Sequence, residues 1–196
     1  EDQESSNLIM NYVTDIRLLG NNSAYIRNSQ SCQGQTSCGP ARIYKDISSS
    51  DLYASGYIRY EGTFPSNYMK MLLSNGPNQW YFQPAGRSQF LLKQGDDYTY
   101  VTLPSPIVDS RWYHFEVRLR TGSPNIFSVW WDGQNLINWN PSSGGSISWM
   151  EMGIPNYDGS GPYIKMWIDR LVYSSARIYP ASKIEVSNSG TYGAGT

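Results

Sequence analysis

The chain has 196 residues, a formal net charge of -1 and only 16% charged residues, with no basic tract. Nucleic-acid partners need a clustered positive surface, and membrane insertion needs an apolar run of roughly 18–20 residues, so the sequence argues against both. Aromatic residues make up 14% of the chain, including 16 tyrosines and 7 tryptophans. With abundant Gly, Ser, Asn and Pro, this balance favours strands joined by turns.

Short segments rich in aromatic and β-branched residues follow one another with turn residues between them. The predicted strands are Tyr12–Leu19, Ala41–Lys45, Gly56–Glu61, Tyr68–Leu73, Trp80–Gln83, Gln89–Lys93, Thr99–Leu103, Tyr113–Arg120, Ile126–Trp131, Asn135–Asn138, Ser146–Met152 and Tyr163–Ser174. Asp132-Gly133 predicts a tight hairpin turn. Asp46–Ala54 predicts one helical turn, because Ser48–Ser50 precede Asp51 like a cap.

Many short strands without helical crossovers predict an all-β, antiparallel two-sheet jelly-roll β-sandwich. We assign residues 1–186 to this single domain and residues 187–196, which are rich in Ser and Gly, to a C-terminal tail or linker.

Cys32 and Cys38 are the only cysteines, and five residues rich in Gly, Ser and Gln separate them. A disulfide here would contribute roughly 2 kcal/mol by restricting the unfolded chain. The alternatives are two free thiols or a metal pair, although the single histidine offers few further ligands. A disulfide implies an oxidising compartment, so we expect a secreted or cell-surface protein.

Alternation along the strands sorts side chains onto two faces. The predicted inner face holds Ile58, Tyr60, Met69, Met71, Phe82, Leu92, Phe115, Val117, Val129, Trp131, Ile164, Met166 and Ile168. The predicted outer trough holds Tyr57, Arg59, Glu61, Tyr68, Lys70, Tyr81, Gln83, Lys93, His114, Glu116, Arg118, Ser128, Trp130, Asp132, Lys165 and Trp167. A bulge in any strand would reverse the assignment beyond it.

The trough combines aromatic rings with more cations than anions. Aromatic rings offer rigid apolar area for sugar faces, and Arg or Lys can bind carboxylates. This pattern favours an acidic polysaccharide, such as a uronate polymer, as the partner. The predicted ligand-binding residues are Tyr57, Arg59, Lys70, His114, Glu116, Arg118, Trp130 and Trp167. The alternative is that these charges only pair across strands, for example Arg59 with Glu61 and Glu116 with Arg118.

Four segments resemble the concanavalin A-like jelly rolls, a superfamily that includes laminin-G-like modules, lectins and polysaccharide lyases. They are Gly56-Tyr-Ile-Arg-Tyr60, Arg111-Trp-Tyr-His-Phe-Glu-Val117, Ser128-Val-Trp-Trp-Asp-Gly-Gln134 and Tyr163-Ile-Lys-Met-Trp-Ile-Asp-Arg-Leu-Val-Tyr173. The resemblance implies an extracellular polysaccharide context. The catalytic motifs of the glucanases and of the common alginate lyases are absent, so it names no reaction.

Three functions remain as hypotheses. The first is a non-catalytic carbohydrate-binding domain, which a single histidine favours. The second is a polysaccharide lyase, in which Tyr68 or Tyr81 exchanges protons, His114 or Lys70 assists, and Arg59 or Arg118 neutralises the uronate carboxylate. A purely structural role for His114 is the alternative to its catalytic one. The third is a structural or adhesive surface subunit that self-associates.

No cofactor is required by any of these hypotheses. Asn156-Tyr-Asp-Gly-Ser-Gly161 offers oxygen ligands without the spacing of an EF-hand, and a plain Asx turn explains this loop better than a calcium site does. The family resemblance implies a structural calcium ion, with Asp158 and Asp169 as the candidate ligands.

Overall fold

The computed structural model describes residues 8–13, 23–28, 41–62, 70–74, 79–142, 144–154 and 164–178. Side chains are described for residues 24–26, 43–62, 79–142, 144–153 and 165–178. The strands are β1 (Leu8–Val13), β2 (Ser23–Asn28), β3 (Ala41–Ser49), β4 (Asp51–Gly62), β5 (Lys70–Ser74), β6 (Trp80–Pro84), β7 (Gln89–Gln94), β8 (Asp97–Thr102), β9 (Trp112–Arg120), β10 (Ile126–Trp131), β11 (Gln134–Trp139), β12 (Ile147–Ile154) and β13 (Ile164–Ser174).

These strands form two sheets. The seven-stranded sheet has the order β1-β2-β13-β4-β9-β10-β11, and the six-stranded sheet has the order β3-β12-β5-β6-β7-β8. Every pairing between the described strands is antiparallel. The predicted all-β, antiparallel two-sheet sandwich is therefore confirmed. In the described part of the chain, no helix is long and apolar enough to cross a membrane.

The helical turn predicted over Asp46–Ala54 is wrong, because β3 runs through Ser49 and β4 begins at Asp51. Ser49 closes this tight connection through its hydroxyl, which donates to the Asp51 carbonyl and accepts from the Asp51 N–H. The same side chain that would cap a helix thus stabilises a bend between strands. Leu52 and Ala54 alternate into the core, as a strand requires.

Strand β2 was missed, because Ser23–Asn28 is a short run flanked by asparagine and serine. The Asp132-Gly133 hairpin prediction is confirmed between β10 and β11. Both residues have positive φ, 49° for Asp132 and 81° for Gly133, which a tight hairpin turn with right-handed strand twist requires.

The core lies between the two sheets, and aromatic contacts join them. Trp131 of the seven-stranded sheet packs edge-on against Phe90 of the six-stranded sheet, with ring centroids 4.8 Å apart. Trp80 and Phe127 make a second contact of this kind at 5.8 Å. The predicted inner residues whose side chains are described are buried: Ile58, Tyr60, Phe82, Leu92, Phe115, Val117, Val129, Trp131, Met166 and Ile168. Alternation therefore predicted the interior correctly at these positions.

Candidate functional site

The side chains of the predicted trough divide between two sheets. Seven of the eight predicted ligand-binding residues belong to the seven-stranded sheet: Tyr57, Arg59, His114, Glu116, Arg118, Trp130 and Trp167. The eighth, Lys70, begins β5 of the six-stranded sheet, to which Tyr81, Gln83 and Lys93 also belong. The single trough is therefore wrong. Alternation shows which side chains point out of a sheet, and it carries no information on which sheet a strand joins.

A buried polar cluster occupies the outer face of the seven-stranded sheet around Glu116; we call it the Glu116 cluster. It consists of Ser55, Tyr57, His114, Glu116 and Trp130, together with Arg177 and Ile178 from the segment after β13. Glu116 is fully buried, and its carboxylate accepts the N–H of Ile178 at 2.8 Å and Nε of Arg177 at 3.4 Å. The Arg177 guanidinium lies 4.6 Å from the centre of the Trp130 ring. The chain after β13 thus crosses this face and binds to the Glu116 carboxylate there.

Burial raises the pKa of Glu116, because removing a carboxylate from water disfavours its charged form. The hydrogen bond from Ile178 and the charge of Arg177 act in the opposite direction. The carboxylate therefore depends on these two partners to offset its desolvation.

His114 contacts Ser55 rather than a tyrosine hydroxyl, with 2.8 Å between Nε2 and the Ser55 Oγ. Its Nδ1 is buried without a hydrogen-bond partner among the described residues. Burial lowers the pKa of His114 to about 4, an effect that Asp132 opposes and Arg177 reinforces. The imidazole is neutral at neutral pH. Tyr81, one of the two tyrosines predicted to act with His114, is in the other sheet, and the tyrosine ring that contacts His114 is that of Tyr57, at 5.0 Å between centroids.

The cations predicted for the trough on this sheet are paired with carboxylates. Arg59 binds Glu61 at 2.7 Å, as the structural alternative predicted, and Lys165 Nζ lies 3.7 Å from the same carboxylate. Arg118 forms a forked pair with Asp51, at 2.8 and 2.6 Å, instead of pairing with Glu116. The hydrogen bond from Arg118 lowers the pKa of Asp51. These cations therefore have their own anions and are not an unsatisfied site for a ligand carboxylate.

The outer face of the seven-stranded sheet is also largely closed. Five predicted ligand contacts are at most 9% exposed: Tyr57, His114, Glu116, Trp130 and Trp167. A polymer cannot reach them in this conformation, so the structure does not support them as an open binding surface. Arg177 covers the Trp130 ring, and Tyr25 and Arg59 of the same sheet pack against Trp167.

A cleft of about 380 Å³ opens at one end of the same sheet and is lined by Glu61, Gly62, Asp109, Ser110 and Lys165. Its polar groups are engaged with one another or with neighbours. Ser110 donates to Glu61 at 2.7 Å, and Arg87 pairs with Asp109 at 2.8 Å. The cleft has no described aromatic residue in its lining.

The outer face of the six-stranded sheet has a different character. Tyr44, Tyr81, Tyr98, Tyr100 and Trp149 point away from the core along it; we call it the tyrosine face. Tyr98 and Tyr100, on the edge strand β8, are 64% and 53% exposed, the most exposed large hydrophobic side chains of the described sheets. Tyr44 and Trp149 contact each other with ring centroids 5.4 Å apart. This face therefore offers aromatic rings that solvent or a ligand can reach.

Strand register places these side chains in rows. One row crosses all six strands through Tyr44, Glu151, Leu73, Tyr81, Lys93 and Tyr98. A second row contains Gln83, Leu91 and Tyr100. With neighbouring strands about 4.8 Å apart, five intervals give a strip of about 24 Å. Within these rows, the side chains of Glu151 and Gln83 are buried, and the rings of the tyrosine face lie on β3 and β12 at one end and on β6 and β8 at the other.

The functional residues predicted from the sequence did not include Tyr44, Tyr98, Tyr100 and Trp149. The signal was present in Asp97–Thr102, where Tyr98 and Tyr100 fall on the side opposite the buried Val101. Lys93 of the original trough does belong to this face, and its Nζ lies 5.8 Å from the centre of the Tyr81 ring.

Several predicted residues lie outside the described part of the chain: Tyr68, Asp158, Cys32, Cys38 and the side chain of Lys70. Asp169 is buried at 4% exposure in β13. Among the described residues, no three His, Cys, Asp or Glu side chains come together as metal ligands. Because Asp158 lies outside the described residues, the structural calcium ion that the family resemblance implies stays a prediction.

Comparison with known proteins identifies solved structures of similar fold. A cellulose-induced protein, Cip1, matches with a TM-score of 0.70 and 15% identity, over 90% of this chain and 89% of that chain. An endo-β-1,4-glucuronan lyase from the fungus Trichoderma reesei matches with a TM-score of 0.64 and 13% identity, over 90% of each chain. The alginate lyase AlyC3, in complex with dimannuronate, matches with a TM-score of 0.53 and 10% identity, over 78% of this chain and 74% of that chain.

No protein-family model matches the chain, and no curated protein matches it in sequence. At these identities the structural matches establish the fold class, a two-sheet antiparallel β-sandwich. They leave the superfamily assignment as the resemblance stated from the sequence.

Proposed function

We propose that the protein is a secreted or cell-surface β-sandwich that binds a polysaccharide across the tyrosine face. The observation that carries the proposal is the pair of exposed rings, Tyr98 and Tyr100, at the end of a row of aromatic and polar residues that crosses the sheet. Exposed aromatic rings with nearby hydrogen-bonding groups suit a sugar chain, which has apolar C–H faces and polar edges.

The structural neighbours support this proposal. They include a cellulose-induced protein, a glucuronan lyase and an alginate lyase holding dimannuronate, so three proteins of this fold are connected with polysaccharides. The width of the face supports it as well, since a strip of about 24 Å suits a polymer better than a monosaccharide.

The test is retardation of the protein in native gels containing polysaccharides, with cellulose derivatives, alginate, polyglucuronate and polygalacturonate as probes. We expect the double variant Tyr98→Ala/Tyr100→Ala to bind at least about tenfold more weakly than the wild type, since each ring contributes about 1 kcal/mol of apolar contact. Val172→Ala is the matched control, because Val172 is 44% exposed but belongs to the opposite sheet. Unchanged binding by the tyrosine variant would refute the assignment to this face.

A lyase is the second candidate function, and the proximity of Tyr81 and Lys93 on the tyrosine face favours it. β-Elimination from a uronate needs a group that takes the C5 proton and a cation or hydrogen-bond donor near the carboxylate, and a phenol and an ammonium suit these roles. The catalytic set predicted from the sequence is not assembled, because Tyr81 is separated by the sandwich from His114, Arg59 and Arg118.

Incubation with uronate polymers distinguishes the two functions. Lyase activity would produce an unsaturated uronate with rising ultraviolet absorbance, and the Tyr81→Phe variant would then lose this activity while it still binds. Because the phenol would move the proton, we expect a loss of at least about a hundredfold. Binding without any rise in absorbance on any uronate polymer supports a non-catalytic role.

A further inference from the structure

Lys93 differs from the paired cations of the seven-stranded sheet. The structure gives it one interaction, with the ring of Tyr81, and no carboxylate within ion-pair distance among the described residues. By contrast, Arg59, Arg118 and Lys165 each have a carboxylate partner. Lys93 thus presents a positive charge on the outer face of its sheet that no described anion neutralises.

The neighbours of Lys93 are arranged symmetrically across the strands. Register places Tyr81 of β6 opposite it on one side and the exposed Tyr98 of β8 opposite it on the other. Each of these residues is therefore about 4.8 Å away in the direction of the sheet. The contact with Tyr81 is a cation–π interaction, which holds the charge beside a ring without cancelling it.

The carboxylates that the strands contribute to this face lie far from Lys93, and Asp96, in the β7–β8 turn, forms no ion pair with it. Asp46 belongs to β3 and Glu151 to β12, and Tyr44, not Lys93, donates to Asp46. Three strand intervals, about 14 Å, separate β12 from β7, which exceeds the screening length of about 8 Å at physiological ionic strength. Neither Asp46 nor Glu151 therefore neutralises the charge of Lys93 at β7.

We infer that Lys93 is the anchor for the carboxylate of an acidic sugar unit, which stacks on Tyr81 or Tyr98 while its ring-edge carboxylate meets the ammonium. This inference rests on the proposed function and adds a preference for uronate polymers, with the acidic unit bound at the β7–β8 end of the face. A cation between two aromatic rings recognises a charge and a ring face together, which a free inorganic anion does not supply.

The experiment compares binding of polygalacturonate, alginate and polyglucuronate with binding of the methyl ester of each polymer, which keeps the sugar backbone and removes the charge. We expect wild-type protein to bind at least one acid form about tenfold more tightly than its ester. Lys93→Met should abolish this preference, so that the variant binds the acid and the ester with similar affinity, and Lys93→Arg should restore the preference. Arg170→Asn is the matched control, since it removes one exposed charge from the other sheet and asparagine tolerates the positive φ of 52° at that bulge.

The outcomes separate this inference from the proposed function. If the protein binds acid and ester forms equally, or if Lys93→Met keeps the preference for the acid, the assignment of Lys93 is overturned while polysaccharide binding stands. If no polymer binds in either form or in the cellulose series, the proposed function itself fails and the inference fails with it. A loss of preference in Arg170→Asn as large as in Lys93→Met would show that net charge, and not a specific anchor, is responsible, and would also overturn it.

Discussion

Replacing Glu116 with alanine is expected to lower the free energy of unfolding by about 1–3 kcal/mol, the cost of leaving a buried hydrogen-bond donor without its acceptor. The substitution leaves the Ile178 N–H and the Arg177 guanidinium without their shared acceptor, on a face from which solvent is largely excluded. Arg177 is 29% exposed, so water can solvate its charge, and the loss comes mainly from the backbone N–H of Ile178. Urea unfolding at neutral pH, followed by tryptophan fluorescence, measures the change.

Asp51→Ala is the control for this prediction. It also removes a carboxylate from an arginine pair of the same sheet, but both Arg118 and Asp51 are partly exposed, at 25% and 36%. Exposed pairs contribute about 0–1 kcal/mol, so this variant should be much less destabilised. Equal losses of stability in the two variants would contradict the stabilising role that we describe for the buried Glu116 carboxylate.

Stability is also expected to fall in the acid range because of His114. Its pKa in the folded protein is about 4, below the ordinary value of 6.5, so between these values the unfolded chain binds a proton that the folded protein does not. The stabilisation is fully present above pH 6.5 and is lost as the pH falls towards 4. The difference amounts to about 3 kcal/mol.

His114→Gln removes this titration and keeps a side chain that can hydrogen-bond to Ser55. The wild-type midpoint of urea unfolding should drop steeply from pH 6.5 to pH 4, and the variant should show a shallower dependence over the same range. The raised pKa of Glu116 acts with the opposite sign and is common to both proteins, so the difference between the curves isolates His114. Parallel curves would show that His114 titrates normally.

Much of the fold could be predicted from the sequence because it depends on local patterns. Period-two alternation identified the inner side of β4, β9, β10 and β13, and Asp132-Gly133 identified a hairpin, since both signals arise within one strand or one turn. The capping pattern near Asp51 failed because a serine hydroxyl serves a bend between strands as well as a helix end.

The site could be predicted only in part, because it depends on how strands far apart in sequence are shared between two sheets. Lys93 and Tyr81 point outward as predicted, but from a different sheet than Arg59 and His114. The alternation of residues along β10 also could not predict that Trp130 is buried. Its ring is covered by Arg177, which lies more than forty residues later in the chain. A contact from a distant part of the chain does not change the pattern of polar and apolar residues in the strand that it covers.

The positions of the tryptophans allow intrinsic tryptophan fluorescence to report binding at the tyrosine face. All seven tryptophans are among the described residues, and Trp149 alone of these points outward on the tyrosine face, whereas Trp80 of the same sheet is fully buried in the core. A sugar chain that covers this face would change the surroundings of one indole and leave those in the core undisturbed. Emission from the unlabelled protein can therefore report occupancy of that surface directly.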